Sequence, residues 1–88
     1  MDHLHQRKHL AAGDTVIVDC SHQCNIHVMS DADYRSYKSG ARFKSYGGGA
    51  QRLPVHITVP TSGYWNITLD LGAGATAHIT HSIRVRSA

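Results

Sequence analysis

An all-β fold is predicted: a two-sheet antiparallel β-sandwich, jelly-roll-like, with about seven or eight strands and one short helix near residues 31–38. Three observations predict it. Segments of period-two apolar alternation recur along the chain. Turn-forming residues separate them at intervals of roughly 8 to 14 residues, the rhythm of a sandwich or small barrel. At 88 residues the chain has room for one core, so strands with one apolar face must bury it against a second sheet. A single domain over residues 1–88 follows, burying roughly 60 to 65% of its unfolded surface, too little for a deep catalytic cavity.

The elements follow in chain order. "TVIVDC" and "CNIHVM" place Val16, Val18 and Cys20, then Cys24, Ile26 and Val28, at inward positions. The short intervening loop, Ser21 to Gln23, lets all six share one face of a hairpin. Cys20 and Cys24 read either as two small buried hydrophobes or as a disulfide, and no second cysteine pair completes a zinc site. Ser30 or Asp31 caps a helix over "DADYRSYKSG": Asp31 and Asp33 suit its positive end, Gly40 suits the left-handed position after it, and Tyr34 and Tyr37 share one face. "PVHITV" reads as a strand. In "YWNITLDL", Trp65, Ile67, Leu69 and Leu71 alternate with outward Tyr64, Asn66, Thr68 and Asp70. "TAHITHSIRVR" closes the pattern, with Ala77, Ile79, Ile83 and Val85 inward. The turns are Ala12-Gly13-Asp14, Gly47-Gly48-Gly49, Pro60-Thr61-Ser62-Gly63 and Gly72-Ala73-Gly74.

Composition restricts function more than it assigns it. The net charge of +3 and pI near 9.1 favour anionic partners only through non-specific attraction. The opening "MDHLHQRKHLAAGD" is polar and interrupted, unlike a secretory leader, and no apolar run approaches the ~20 residues of a membrane span. A cytoplasmic protein without membrane contact is expected.

Eight histidines are present, but their spacing does not converge on one point, as zinc requires. His3, His5 and His9 lie along one N-terminal strand face, His27, His56 and His78 fall at outward positions, and His81 has inward parity, predicting partial burial. No Gly-x-Ser-x-Gly elbow, phosphate loop or dinucleotide fingerprint occurs. Asp31 and Asp33 read as helix-start residues, and the sequon Asn66-Ile67-Thr68 lies mid-strand. No catalytic residue, metal or cofactor is therefore expected.

The stretch from Tyr34 to Arg52 differs from the rest. It holds three of the four tyrosines, the single phenylalanine and five of the nine Lys/Arg residues, with no acid. Cations interleaved with rings suit phosphates and stacking, whereas Tyr34 and Tyr37 at helical spacing equally suit packing. The expected function is a non-enzymatic binding or interaction module. Its ligand surface lies at the helix end and a 42–49 hairpin, with Arg42, Lys44, Tyr46, Gly47, Gly48 and Arg52 as candidates. The partner is a protein or a small anionic ligand; the footprint is too short for tight nucleic-acid binding. A histidine-based metalloprotein or hydrolase and a structural, oligomerising domain are the alternatives, the latter because edge strands permit a homodimer.

The run "DADYRSYKSGARFKSYGGGAQRLPVHITVPTSGYWNITLDLG", with "LAAGDTVIVD" before it, resembles bacterial proteins of domain-of-unknown-function family 1883. The marks are the Tyr34-x2-Tyr37-x2-Gly40 helix end, the Tyr46-Gly47-Gly48 loop, "LPVHITVP" and "SGYWNITLDLG". The resemblance implies a small β-sandwich, standing alone or attached to a TIR domain, and implies no catalytic residue.

Overall fold

The computed structural model describes residues 4–21, 25–49, 53–70 and 80–88. Seven strands and one helix follow in order: β1 Leu4–Leu10, β2 Thr15–Cys20, β3 Asn25–Ser30, α1 Asp31–Ser39, β4 Tyr46–Gly49, β5 Val55–Thr58, β6 Gly63–Asp70 and β7 His81–Arg86. The strands form two antiparallel sheets, β1-β6-β3-β4 and β5-β2-β7. The expected all-β sandwich with one short helix is thus present. No helix among the described residues is long and apolar enough to cross a membrane.

Inward residues of both sheets make one core. Ile26, Val28, Trp65, Ile67 and Leu69 from the four-stranded sheet meet Val16, Val18, Cys20 and Ile57 from the three-stranded one, with Leu10 and Val59 at the rim. Period-two alternation places these side chains on one face per strand.

Pairing departs from the expected local hairpins. The chain changes sheet at every step except β3–α1–β4, so β2 and β3 lie in opposite sheets and not in one hairpin. Their apolar residues meet across the core, which satisfies the same pattern by a different route. Cys20 is buried; Cys24, and with it any disulfide, lies outside the described residues. The expected 42–49 hairpin is also corrected: residues 41–45 carry no regular structure, and Tyr46–Gly49 is an edge strand paired with β3, Val28 opposite Tyr46 and His27 opposite Gly47.

The helix forms as its capping residues dictate. The Ser30 hydroxyl accepts from the Asp33 amide, and Gly40, at φ +80°, donates its N–H to the carbonyls of Ser36 and Tyr37. None of the residues of α1 is fully buried. A helix of two and a half turns is marginal alone, so its stability comes from what it touches on the sheet.

Strand β6 is where periodicity underestimates burial. Asn66 is 1% exposed, Thr68 0% and Asp70 9%, although their parity is outward, because α1 crosses that face and contacts β3 and β6. His81 goes the other way. It stands opposite Cys20 at the first position of β7 and is exposed among the described residues.

Candidate functional site

The outer face of the four-stranded sheet gathers polar side chains in register. His5 of β1 and His27 of β3 flank Thr68 of β6; one row along, Arg7 and Met29 flank Asn66. Asn66 is the hub. Its Nδ2 donates to Asp31 Oδ1 at 2.7 Å and to the Met29 carbonyl at 3.4 Å. Both partners can only accept, which orients the amide. Asn66 Oδ1 therefore faces His5 Nε2 at 2.7 Å, and the imidazole proton sits on Nε2.

Arg7 closes the network with a two-point contact to Asp31, Nε to Oδ1 at 3.0 Å and Nη2 to Oδ2 at 2.7 Å. The Arg7 guanidinium first, and the Asn66 amide second, hold the Asp31 carboxyl far below the usual carboxylate range. A depressed carboxylate stabilises the fold above its unfolded pKa, and that contribution fades as pH falls. The pair is substantially solvent-exposed, so its main effect is positional: it anchors the first turn of α1 to β1.

Rings hold the rest of the helix. Tyr34 stacks on His5 at 4.0 Å between centroids and lies 6.2 Å from Tyr37, while the Lys38 ammonium sits 4.6 Å over the Tyr34 ring. Tyr37 meets Phe43 edge-on at 5.1 Å, and His27 meets the same two rings at 5.8 and 5.5 Å. The Tyr37 hydroxyl points to Asp70 Oδ2 at 3.4 Å. Burial, then the Asp70 carboxylate, pushes the Tyr37 phenol up. Burial pulls the His27 imidazole down, with Asp70 opposing.

Beneath this cover the Thr68 hydroxyl is buried and has no hydrogen-bond partner among the described residues. Removing an unsatisfied buried hydroxyl while keeping its shape relieves a desolvation penalty. Thr68→Val is therefore expected to raise stability by about 1 kcal/mol in urea unfolding; a loss of stability would mean that the hydroxyl is satisfied.

The candidates read from sequence divide into two groups. Arg42 and Lys44 are exposed on the 41–45 segment just beyond the helix end, with the Lys44 amide donating to Asp33 Oδ1 and its ammonium 5.6 Å from the Tyr46 ring. Tyr46 itself packs inward, edge-on to Trp65 at 5.8 Å. Gly47 has a backbone role: at φ +104°, an added Cβ would lie 2.5 Å from the Ile26 carbonyl oxygen. Gly48 is paired in β4 opposite Ile26, and Arg52 lies outside the described residues. The network residues His5, Arg7, Asp31 and Asn66 were missed as a group. Their one sequence signal is matching outward polar parity on two strands, which does not reveal that the strands are neighbours.

Two clefts, of about 300 and 360 Å³, are present, one lined by Asp19, Ser21 and His81 and the other by Leu4, His5 and Ile83 among others. Among the described residues, no three His, Cys, Asp or Glu side chains are grouped to hold a metal ion.

A family model described as "Domain of unknown function (DUF1883)" matches residues 1–87. The chain belongs to this family. No curated protein and no solved structure matches it. Membership in DUF1883 assigns no activity, so the chemistry of this domain rests on its residues. Buried Asn66 and the partly exposed Asp31 are hydrogen-bonded to one another and to the scaffold, whereas the cations beyond them are solvent-facing.

Proposed function

We propose that this DUF1883 domain is a non-enzymatic, cytoplasmic binding module. It presents the C-terminal half of α1 and the 41–46 segment to a small anionic ligand or an acidic protein segment. The observation that carries this reading is exposed positive charge outside any ion pair of the described residues. Arg35, Lys38, Arg42 and Lys44 are all exposed, and none is in an ion pair among the described residues, where the one ion pair is Arg7 with Asp31. The nearby acids are engaged: Asp31 by Arg7 and Asn66, Asp33 by the Ser30 hydroxyl and the Lys44 amide. Rings packed beneath the cations, Tyr37 against Phe43 and His27, fix where that segment lies on the sheet.

Amide chemical-shift titrations with inorganic phosphate, a glutamate-rich peptide and a single-stranded oligonucleotide test this reading. Shifts confined to residues 35–46 are expected with phosphate or the peptide. They should be lost in a Lys38→Ala, Arg42→Ala, Lys44→Ala variant, whose exposed sites leave the fold intact. The oligonucleotide is expected to bind no better than about 10⁻⁴ to 10⁻⁶ M at physiological salt, the non-specific range. Shifts centred elsewhere, or sub-micromolar oligonucleotide binding, would refute the assignment.

A further inference from the structure

We infer that His27 is a proton-operated latch that holds the end of α1 and the 41–45 segment on the sheet when neutral and releases them when charged. As regulation, this rests on the reading of that segment as the ligand face; as a structural transition it does not.

The geometry supplies the latch. His27 stands on β3 between the sheet and its cover, and it touches the 41–45 segment twice, through Phe43 edge-on at 5.5 Å and through Nδ1 to the Ser45 hydroxyl at 2.8 Å. It also meets Tyr37 of α1. These contacts bracket Lys44 and adjoin Arg42, so the presentation of both cations depends on them. The other attachments concentrate on the first turn of α1, through Asp31 to Arg7 and Asn66, and on Tyr34 against His5, while no residue of α1 is completely buried. Elements with few buried contacts belong to the low-stability end of a native structure.

The groups facing His27 determine the sign. From α1 comes the Tyr37 phenol. From β6 come the Thr68 hydroxyl in register, without a partner among the described residues, and the Asp70 carboxylate; from the 41–45 segment come Phe43 and the Ser45 hydroxyl, with the Lys44 ammonium turned toward Tyr46; from β4 comes Gly47 opposite. His5 lies one strand further, across Thr68. Asp70 alone favours the imidazolium, and burial outweighs it, lowering the pKa from its ordinary 6.5. The covered state therefore prefers neutral His27, and the released state takes up the proton. The contribution of His27 to holding the cover is present above its ordinary value of 6.5 and is lost as pH falls below it. An imidazolium would also compete with the Tyr37 hydroxyl for Asp70, loosening a second attachment.

The test is amide hydrogen exchange and NMR of the full chain from pH 7.5 to 5.5, with no ligand. Protection of the α1 amides, corrected for intrinsic exchange and referenced to β3 and β6, is expected to fall by roughly threefold or more. The His27–Phe43 nuclear Overhauser contact should weaken over the same range, with a midpoint that tracks the His27 ring resonance and not those of His5 or His9. His27→Gln, which cannot titrate, should make the profile flat. A flat wild-type profile, a midpoint following another histidine, or a persistent pH response in His27→Gln would overturn the inference. If His27→Gln fails to fold, the wild-type midpoint assignment decides the matter alone. Absence of anion binding with the transition intact would refute only the ligand reading.

Discussion

Asn66→Ala is expected to destabilise the domain by about 2–4 kcal/mol, the range for removing a buried hub whose partners include a charged group. The loss has three sources. The amide is 1% exposed, so truncation leaves a void in the centre of the four-stranded sheet. Asp31 Oδ1 loses the donor that, with Arg7, holds its carboxylate, and His5 Nε2 loses its acceptor. Because Asp31 begins α1 and His5 stacks on Tyr34, the helix should loosen before the core does. Urea unfolding gives the magnitude, and exchange of the α1 amides gives the order of events. A loss below about 1 kcal/mol, the ordinary net worth of one neutral hydrogen bond, would show that Asn66 is no hub. Asn66→Asp is a sharper variant, since it sets a second carboxylate against Asp31 at the present 2.7 Å separation.

Gly47→Ala is expected to cost about 2–3 kcal/mol, from left-handed backbone strain joined to a steric collision. At φ +104° the new Cβ would meet the Ile26 carbonyl oxygen at 2.5 Å and Ile57 Cδ1 at 3.0 Å. The carbonyl belongs to β3, an interior strand paired on both sides by β6 and β4, and cannot readily give way, so β4 must shift. Tyr46 precedes Gly47 and lies edge-on to Trp65, the sole tryptophan, so its fluorescence should report the displacement. Gly40→Ala provides the comparison. Its φ of +80° is also left-handed, yet nothing lies within 4 Å of an added Cβ, so only strain remains and the loss should be about 1 kcal/mol. Equal losses at the two sites would show that the collision at Gly47 is relieved elsewhere.

The contrast between these glycines also separates what was legible from what was not. Gly40 follows a capped, amphipathic helix, and its left-handed role is readable from neighbours along the chain. The role of Gly47 depends on a carbonyl some twenty residues away, and local turn chemistry suggests a hairpin turn at the ligand surface instead. Arg42 and Lys44 kept their expected exposure because none of the described elements lies over them, whereas Tyr46 turned inward once β4 paired with β3.

Apolar alternation and local capping residues, by themselves, determined that this chain is a sandwich, which side of most strands enters the core, and where the helix of the described residues begins and ends. These properties follow from periods of 2 and 3.6 residues and from capping groups, all of which operate over a few neighbouring positions. Only the tertiary structure decided which strands pair. A period-two pattern states that two residues share a face but not which strand lies beside them, and β2 and β3 met across the core instead of within one sheet. The helix, laid over the outer face of β6, then converted Asn66, Thr68 and Asp70 from outward polar residues into buried ones. Burial there was set by a covering element rather than by strand parity, and it brought His5, Asp31 and Asn66 into one network and His27 under the edge of the candidate ligand face.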